Sequence, residues 1–193
     1  VFENFEVKEF DWVKKLKDKQ VVAHGSDFGF TQDPTTLVST IVDTQNKELW
    51  IYDEYYQRGM LTDEIYQMYI DKGLKNAEII ADSAEKRLIT EIKRKGISNI
   101  KPSVKGQGSI MQGVQFIQGF KIYVHPSCEH TIEELNTYTF DQDKDGNWLN
   151  KPIDENNHIL DALRYSLEKF HFPRNNKTNV NIKKNISRAK AMG

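Results

Sequence analysis

Three aspartates stand at the end of an apolar run or inside one, and they constrain this chain more than any other feature. Asp27 closes the run 21–27 (VVAHGSD), Asp82 closes 77–82 (AEIIAD), and Asp161 lies within the helix-like stretch 158–167 (HILDALRYSL). A carboxylate placed where a buried strand emerges has a rigid mount, and rigid carboxylates are what hard divalent cations select. The three are far apart in sequence. They meet only if the first two runs are neighbouring strands and the last helix lies across their ends. A site of that kind suits Mg²⁺ or Mn²⁺, and its usual chemistry is phosphodiester cleavage.

The order of the remaining patterns predicts such a fold. Segments 21–30, 36–42 and 48–56 read as strands, and the short turns between them favour an antiparallel meander. Thr62 is the expected N-cap of a helix that ends near Gly73. Ala77–Asp82 reads as a short strand, Glu85–Lys95 as a helix stopped by Gly96, and Ile97–Val104 as a strand that Pro102 places at a sheet edge. A helix over Ile110–Phe120, a strand over Lys121–His125 and a helix over Glu129–Tyr138 follow. Asp145-Gly146 predicts a tight turn between hairpin arms within 141–152, a candidate gate ahead of the last helix, Asn157–His171. A meander followed by β-α-β units predicts an α/β fold: a mixed central sheet with helices on both faces.

With 193 residues the chain suits one domain with a proper core, and 28% charged against 38% hydrophobic residues is a globular balance. Residues 1–19 read as a polar lead-in with an amphipathic turn or two, residues 20–172 as the domain, and 173–193 as a basic tail without periodicity. No apolar run approaches a membrane span, and no signal peptide opens the sequence. The single Cys128 rules out an internal disulfide and a Cys-based zinc cluster, and fits a reducing interior. The first residue is Val, as expected of a piece of a longer protein. The tail carries six Lys/Arg and no acid, leaving 21 basic against 28 acidic residues in the body. A second basic run, Lys86–Lys105, holds Lys86, Arg87, Lys93, Arg94, Lys95, Lys101 and Lys105 against Glu91 alone. Either run is a solvated surface or an attractor of phosphates, and the second reading gains weight beside a nuclease site.

Each acid also has a bland reading. Asp27 lies between Gly25 and Gly29, where a strand-end aspartate satisfies turn amides. Asp82 is placed to cap the helix that starts near Glu85. Asp161 borders the stripe Ile159, Leu160, Leu163 and Leu167, where Arg164 or Tyr165, one turn on, would satisfy it. His158 is a surface or capping histidine on its own, but it shares a helix face with Asp161. Three look-alikes fail. Asp27-Phe28-Gly29 lacks every other kinase element. The run Asp141, Asp143, Asp145 and Gly146 starts like a calcium loop but has Pro152 at the twelfth position. His125, Cys128 and His130 lack the further ligands of a zinc site.

Taken together, SDFGFTQDPT, WIYDEYYQRG, IIADSAEKRLI and NHILDALRYSL resemble the nuclease domain of the large terminase subunit of tailed double-stranded DNA bacteriophages, over about residues 20–170. The resemblance implies an RNase H-like fold. It implies that Asp27, Asp82 and Asp161 hold metal, two Mg²⁺ or Mn²⁺ ions, with His158 beside the third acid, and that Lys105 contacts phosphate. Lys86, Arg87, Lys93, Arg94 and Lys101 are expected to steer duplex DNA as a group. It further implies a small terminase subunit and a portal as partners, an ATPase motor, and work in the cytoplasm of an infected host cell. No G-x-x-x-x-G-K-[ST] loop is present, so this chain is expected to cut DNA without translocating it. Rival readings are another RNase H-like nuclease, such as a junction resolvase or hybrid nuclease, and an idle module that docks on DNA or portal.

Overall fold

The computed structural model describes residues 1–16 and 20–171. The basic tail expected over 173–193 lies outside these residues. In chain order the elements are β1 (Phe5–Val7), α1 (Trp12–Lys15), β2 (Val21–Asp27), β3 (Thr35–Asp43), β4 (Glu48–Gln57), α2 (Thr62–Asp71), β5 (Ile79–Ala81) and α3 (Lys86–Lys95). Then come β6 (Ile100–Pro102), α4 (Ser109–Gln118), β7 (Lys121–Val124), α5 (Glu129–Thr137), β8 (Phe140–Gln142), β9 (Trp148–Pro152), α6 (His158–Ser166) and α7 (Glu168–His171).

Seven strands form one mixed sheet in the order β1-β7-β4-β3-β2-β5-β6, and β8 and β9 form a separate hairpin. The meander is antiparallel, β2 on β3 and β3 on β4. The strands that follow join in parallel, β5 on β2, β6 on β5 and β7 on β4, and β5-α3-β6 is a β-α-β unit with the crossover helix that parallel pairing requires. Alternation along the strands then divides the core. Ala23, Val38, Ile51 and Val124 face α4, α5 and α6, whereas Leu37, Ile79, Ala81 and Ile100 face α2 and α3. Helices therefore cover both faces, as the pattern predicted.

Several boundaries differ from the sequence reading, each for a local reason. Phe2 is buried and β1 pairs in parallel with β7, so the expected lead-in contributes an edge strand to the sheet. Thr62 is the first residue of α2 rather than its cap: the Glu64 carboxylate reaches back to the N–H of Leu61 at 2.8 Å. The edge strand around Pro102 is only three residues long. The last helix breaks at Leu167, after Ser166 Oγ donates to the Leu163 carbonyl at 2.7 Å. In the hairpin, Gly146 has φ +83°, and the Asp143 carboxylate accepts from the amides of Asp145 and Asn147. The central acid of the apparent calcium loop, Asp143, thus shapes a turn.

Candidate metal centre

Strand register brings the first two acids together. Because β2 and β5 run in parallel with Ser26 opposite Ala81, Asp27 and Asp82 leave the sheet at the same end; the Asp82 amide donates to the Ser26 carbonyl at 3.0 Å. The third acid arrives on α6, which crosses β2 at Gly25. A Cβ at Gly25 would overlap the Ala162 carbonyl oxygen and lie 2.7 Å from its carbon, so only glycine admits the helix this closely. The hydroxyl of Thr36, the strand partner of Asp27, donates to the His158 carbonyl at 3.1 Å and fixes the start of α6.

The three carboxylates line one polar cavity of about 550 Å³ together with His158, Lys105 and Tyr165. Their side chains are 14%, 11% and 20% exposed for Asp27, Asp82 and Asp161. Each has its own basic side chain beside it. His158 Nδ1 lies 3.1 Å from Asp27 Oδ2, Lys105 Nζ 2.6 Å from Asp82 Oδ1, and Arg164 Nη2 3.0 Å from Asp161 Oδ1. Burial raises the Asp27 carboxyl above its ordinary pKa, the His158 hydrogen bond opposes this, and the charges of Asp161 and Asp82 raise it further. His158 is itself pushed up, chiefly by its hydrogen bond to Asp27. The Tyr165 hydroxyl is raised by burial and then by Asp161, Asp27 and Asp82, so all three charges are felt at one point.

Of the bland readings that of Asp161 holds, whereas Asp82 bonds the turn ahead of α3 rather than an amide of that helix. Asp82 accepts from the Ala84 amide at 3.1 Å, and Asp161 from the Tyr165 hydroxyl at 3.4 Å, besides its pair with Arg164. Among the described residues, no three His, Cys, Asp or Glu side chains are gathered tightly enough to hold one ion as they stand. The donor set nevertheless fits a hard cation: three mutually repelling carboxylates and an imidazole open to one cavity, with an ammonium already drawn to one of them.

Of the basic residues, Lys105 lines the cavity. Lys86 begins α3, and Arg87, Lys93 and Arg94 follow along that helix, with Lys93 and Arg94 in its last turn; Arg87 pairs with Glu91 at 3.2 Å. Lys101 pairs with Glu78. Among the look-alike zinc ligands, Cys128 is buried and its thiol is pushed up to about 12 by burial, while His130 pairs with Glu54 at 2.9 Å.

Sequence reasoning missed Asp33 and Arg58, both on the cavity wall. Asp33 Oδ1 stands 3.5 Å from His158 Nε2, so that ring lies between two carboxylates. Gly29 was the available signal: the loop packs so tightly there that a Cβ would meet the backbone of Asp33 and Pro34. Also missed was Glu134 of α5, whose buried carboxylate accepts from the amides of Ile159 and Leu160 at 3.1 and 2.9 Å, capping α6.

Burial pushes the Glu134 carboxyl up to about 7 from 4.5; the two amides and His158 act to lower it, and Asp161 to raise it. Between those values the folded chain holds a proton that the unfolded chain has released, so stability falls as pH rises through the window. The melting temperature of the wild type, measured relative to Glu134→Gln, is therefore highest below pH 4.5, declines towards pH 7 and is flat above it. A constant difference in thermal melts from pH 4 to 8 contradicts this.

Comparison with known proteins agrees with the geometry. A family model described as the terminase RNase H-like domain matches residues 27–169. The chain is 34% identical over 175 residues to the PBSX phage terminase large subunit of Bacillus subtilis, covering 88% of this chain and 40% of that protein. It is 27% identical over 176 residues to the large terminase subunit of Bacillus phage SPP1, covering 87% of this chain and 41% of that protein. It thus spans about two fifths of these curated relatives. Among solved structures it resembles the SPP1 large terminase nuclease domain with bound Mn, with a TM-score of 0.80 and 26% identity, covering 88% of this chain and 98% of that one.

Proposed function

The chain belongs to the terminase RNase H-like domain family, and from that footing we propose that it is a divalent-metal-dependent endonuclease cutting double-stranded DNA during phage genome packaging. The observation that carries this reading is the single polar cavity lined by Asp27, Asp82 and Asp161. The Mn-bound SPP1 domain supports the choice of metal. Asp27, central to the group, would be shared between two Mg²⁺ or Mn²⁺ ions, with Asp82 and Asp161 holding one each. Cations so placed supply an activated water and charge stabilisation at the leaving 3′ oxygen. His158, held between Asp27 and Asp33, orients water or protonates the departing oxygen. Lys105 would leave Asp82 as the cations bind and then meet a phosphate oxygen of the substrate.

Backbone contacts carry no base information, so cleavage has low sequence specificity. The exposed cations of α3 steer the duplex, and Arg58 on the cavity wall joins Lys105 as a phosphate contact. Binding of a linear duplex should then weaken at least about tenfold between low and moderate salt, since each phosphate neutralised adds to the salt slope. A salt-independent Kd in a fluorescence titration contradicts it. The hairpin end at Lys151 and Pro152 lines a second cavity that shares Lys105, Asp161 and Tyr165 with the first, which supports a gating role. An ATPase motor, the small terminase subunit and the portal complete the machine in the host cytoplasm. Among the described residues, no helix is long and apolar enough to cross a membrane.

The test is plasmid nicking with Mn²⁺, with linear duplex, four-way junction and RNA–DNA hybrid as competitors. Nicking that is abolished by chelation and competed best by linear duplex is expected. Preference for the junction or hybrid, or no Mn²⁺-dependent cleavage, overturns the assignment.

A further inference from the structure

Two segments of the site are tied down by glutamates that stand behind the cavity rather than in it. Asn157 occupies the cap position of α6 but makes no side-chain capping bond there. The amides of Ile159 and Leu160 donate instead to Glu134, which reaches across from α5. The Val104 amide, next to Lys105, donates to both carboxylate oxygens of Glu168, the first residue of α7, at 2.8 and 3.0 Å. Each of these glutamates is only 4% exposed. A third glutamate anchors the first: Glu54 of β4 accepts from the amides of His130 and Thr131 at 2.9 and 2.8 Å and from the Thr131 hydroxyl at 2.6 Å. The sheet thus holds α5 through one carboxylate, and α5 holds α6 through the next.

We propose that Glu134 and Glu168 are positioning residues of the metal centre: Glu134 sets the helix end that carries His158 and Asp161, and Glu168 sets the segment that carries Lys105. The proposal rests on the endonuclease reading and deepens it. Burying a carboxylate is costly, and residue 157 stands at the cap position from which a local side chain satisfies the same helix-end amides. A carboxylate reaching from a neighbouring element does something a local cap does not. It fixes the start of α6 relative to α5, and hence to the sheet that carries Asp27 and Asp82. Glu168 works the same way, locking residue 104 to the helix that follows α6. Groups supporting a metal site from behind are commonly worth about 10- to 100-fold in affinity or rate when removed.

The experiment uses the full chain with Glu134→Ala, Glu134→Gln and Glu168→Ala. Each is assayed well below its melting temperature for amide exchange, Mn²⁺ affinity by calorimetry, and kcat and KM on plasmid DNA. For Glu134→Ala we expect faster exchange at Ile159 and Leu160, with Mn²⁺ affinity and kcat each falling about tenfold or more while KM for DNA stays within about twofold. Glu134→Gln, which keeps one acceptor oxygen, recovers part of both losses. Glu168→Ala is expected to raise KM for DNA severalfold and leave Mn²⁺ affinity within about twofold. A lowered melting temperature with wild-type Mn²⁺ affinity and wild-type kcat in Glu134→Ala, or with wild-type KM for DNA in Glu168→Ala, overturns the proposal, because the glutamates would then be structural only. If Glu134→Ala does not fold, Glu134→Gln decides on the same measures. If the wild type neither binds Mn²⁺ nor cuts DNA, the endonuclease reading has failed. The exchange rates at Ile159 and Leu160 then decide alone whether Glu134 sets this helix end.

Discussion

Asp27→Asn is expected to abolish Mn²⁺-dependent plasmid nicking, a loss of at least about 10³-fold, while the protein melts at or above the wild-type temperature. The first half follows if the carboxylate is a metal ligand, since a bound cation contributes several kcal/mol of transition-state stabilisation and each 1.36 kcal/mol is tenfold in rate. The second half follows from the fold. Burial and the charges of Asp161 and Asp82 hold the Asp27 carboxyl above its ordinary pKa. Its ionised form therefore costs stability at neutral pH, and the neutral isostere removes that cost while its carbonyl oxygen can still accept from His158. Asp82→Asn and Asp161→Asn should also be inactive and folded. Retained cleavage in any of the three removes that residue from the site, and a collapsed melt for Asp27→Asn refutes the electrostatic account.

Gly25→Ala is expected to be the most damaging change outside the acids. Its methyl group would be driven into the backbone of α6, with the Ala162 carbonyl carbon at 2.7 Å and Ser166 Cβ at 3.0 Å. Neither neighbour is a flexible side chain, so the helix itself must move. Overpacking of this kind costs about 3 kcal/mol, or about 10 °C of melting temperature in a domain of this size. Displacing α6 also draws Asp161 away from Asp27, so cleavage should fall by more than the lost stability explains. Wild-type melting and cleavage in Gly25→Ala would mean that the close helix–strand approach is dispensable.

The acids and the sheet were legible because their signals are local. Asp27 and Asp82 end runs whose apolar content already predicts buried strands, and the stripe of α6 puts Asp161 on a defined edge. The meander followed from turn spacing, and helices on both faces from β-α-β order. What could not be read depends on partners distant in sequence. β1 has three residues and no alternation to speak of, and it is a strand only because β7 lies beside it. Glu134 sits in an amphipathic helix, where an acid looks like surface, and its amide partners are 25 and 26 residues away. Lys101 looked like a free cation until Glu78 lay beside it. Asp33 needed the fold-back of the loop after Gly29.

The central claim is that three carboxylates on two strands and one helix make one divalent-metal site, with Lys105 leaving Asp82 as it fills. A crystal soaked in Mn²⁺, with anomalous difference density collected at the metal edge, tests this directly. The account predicts peaks inside the cavity within coordination distance of Asp27, Asp82 and Asp161, with Lys105 Nζ moved off Asp82. Peaks absent from the cavity, or bound to only one of the three acids, would contradict it.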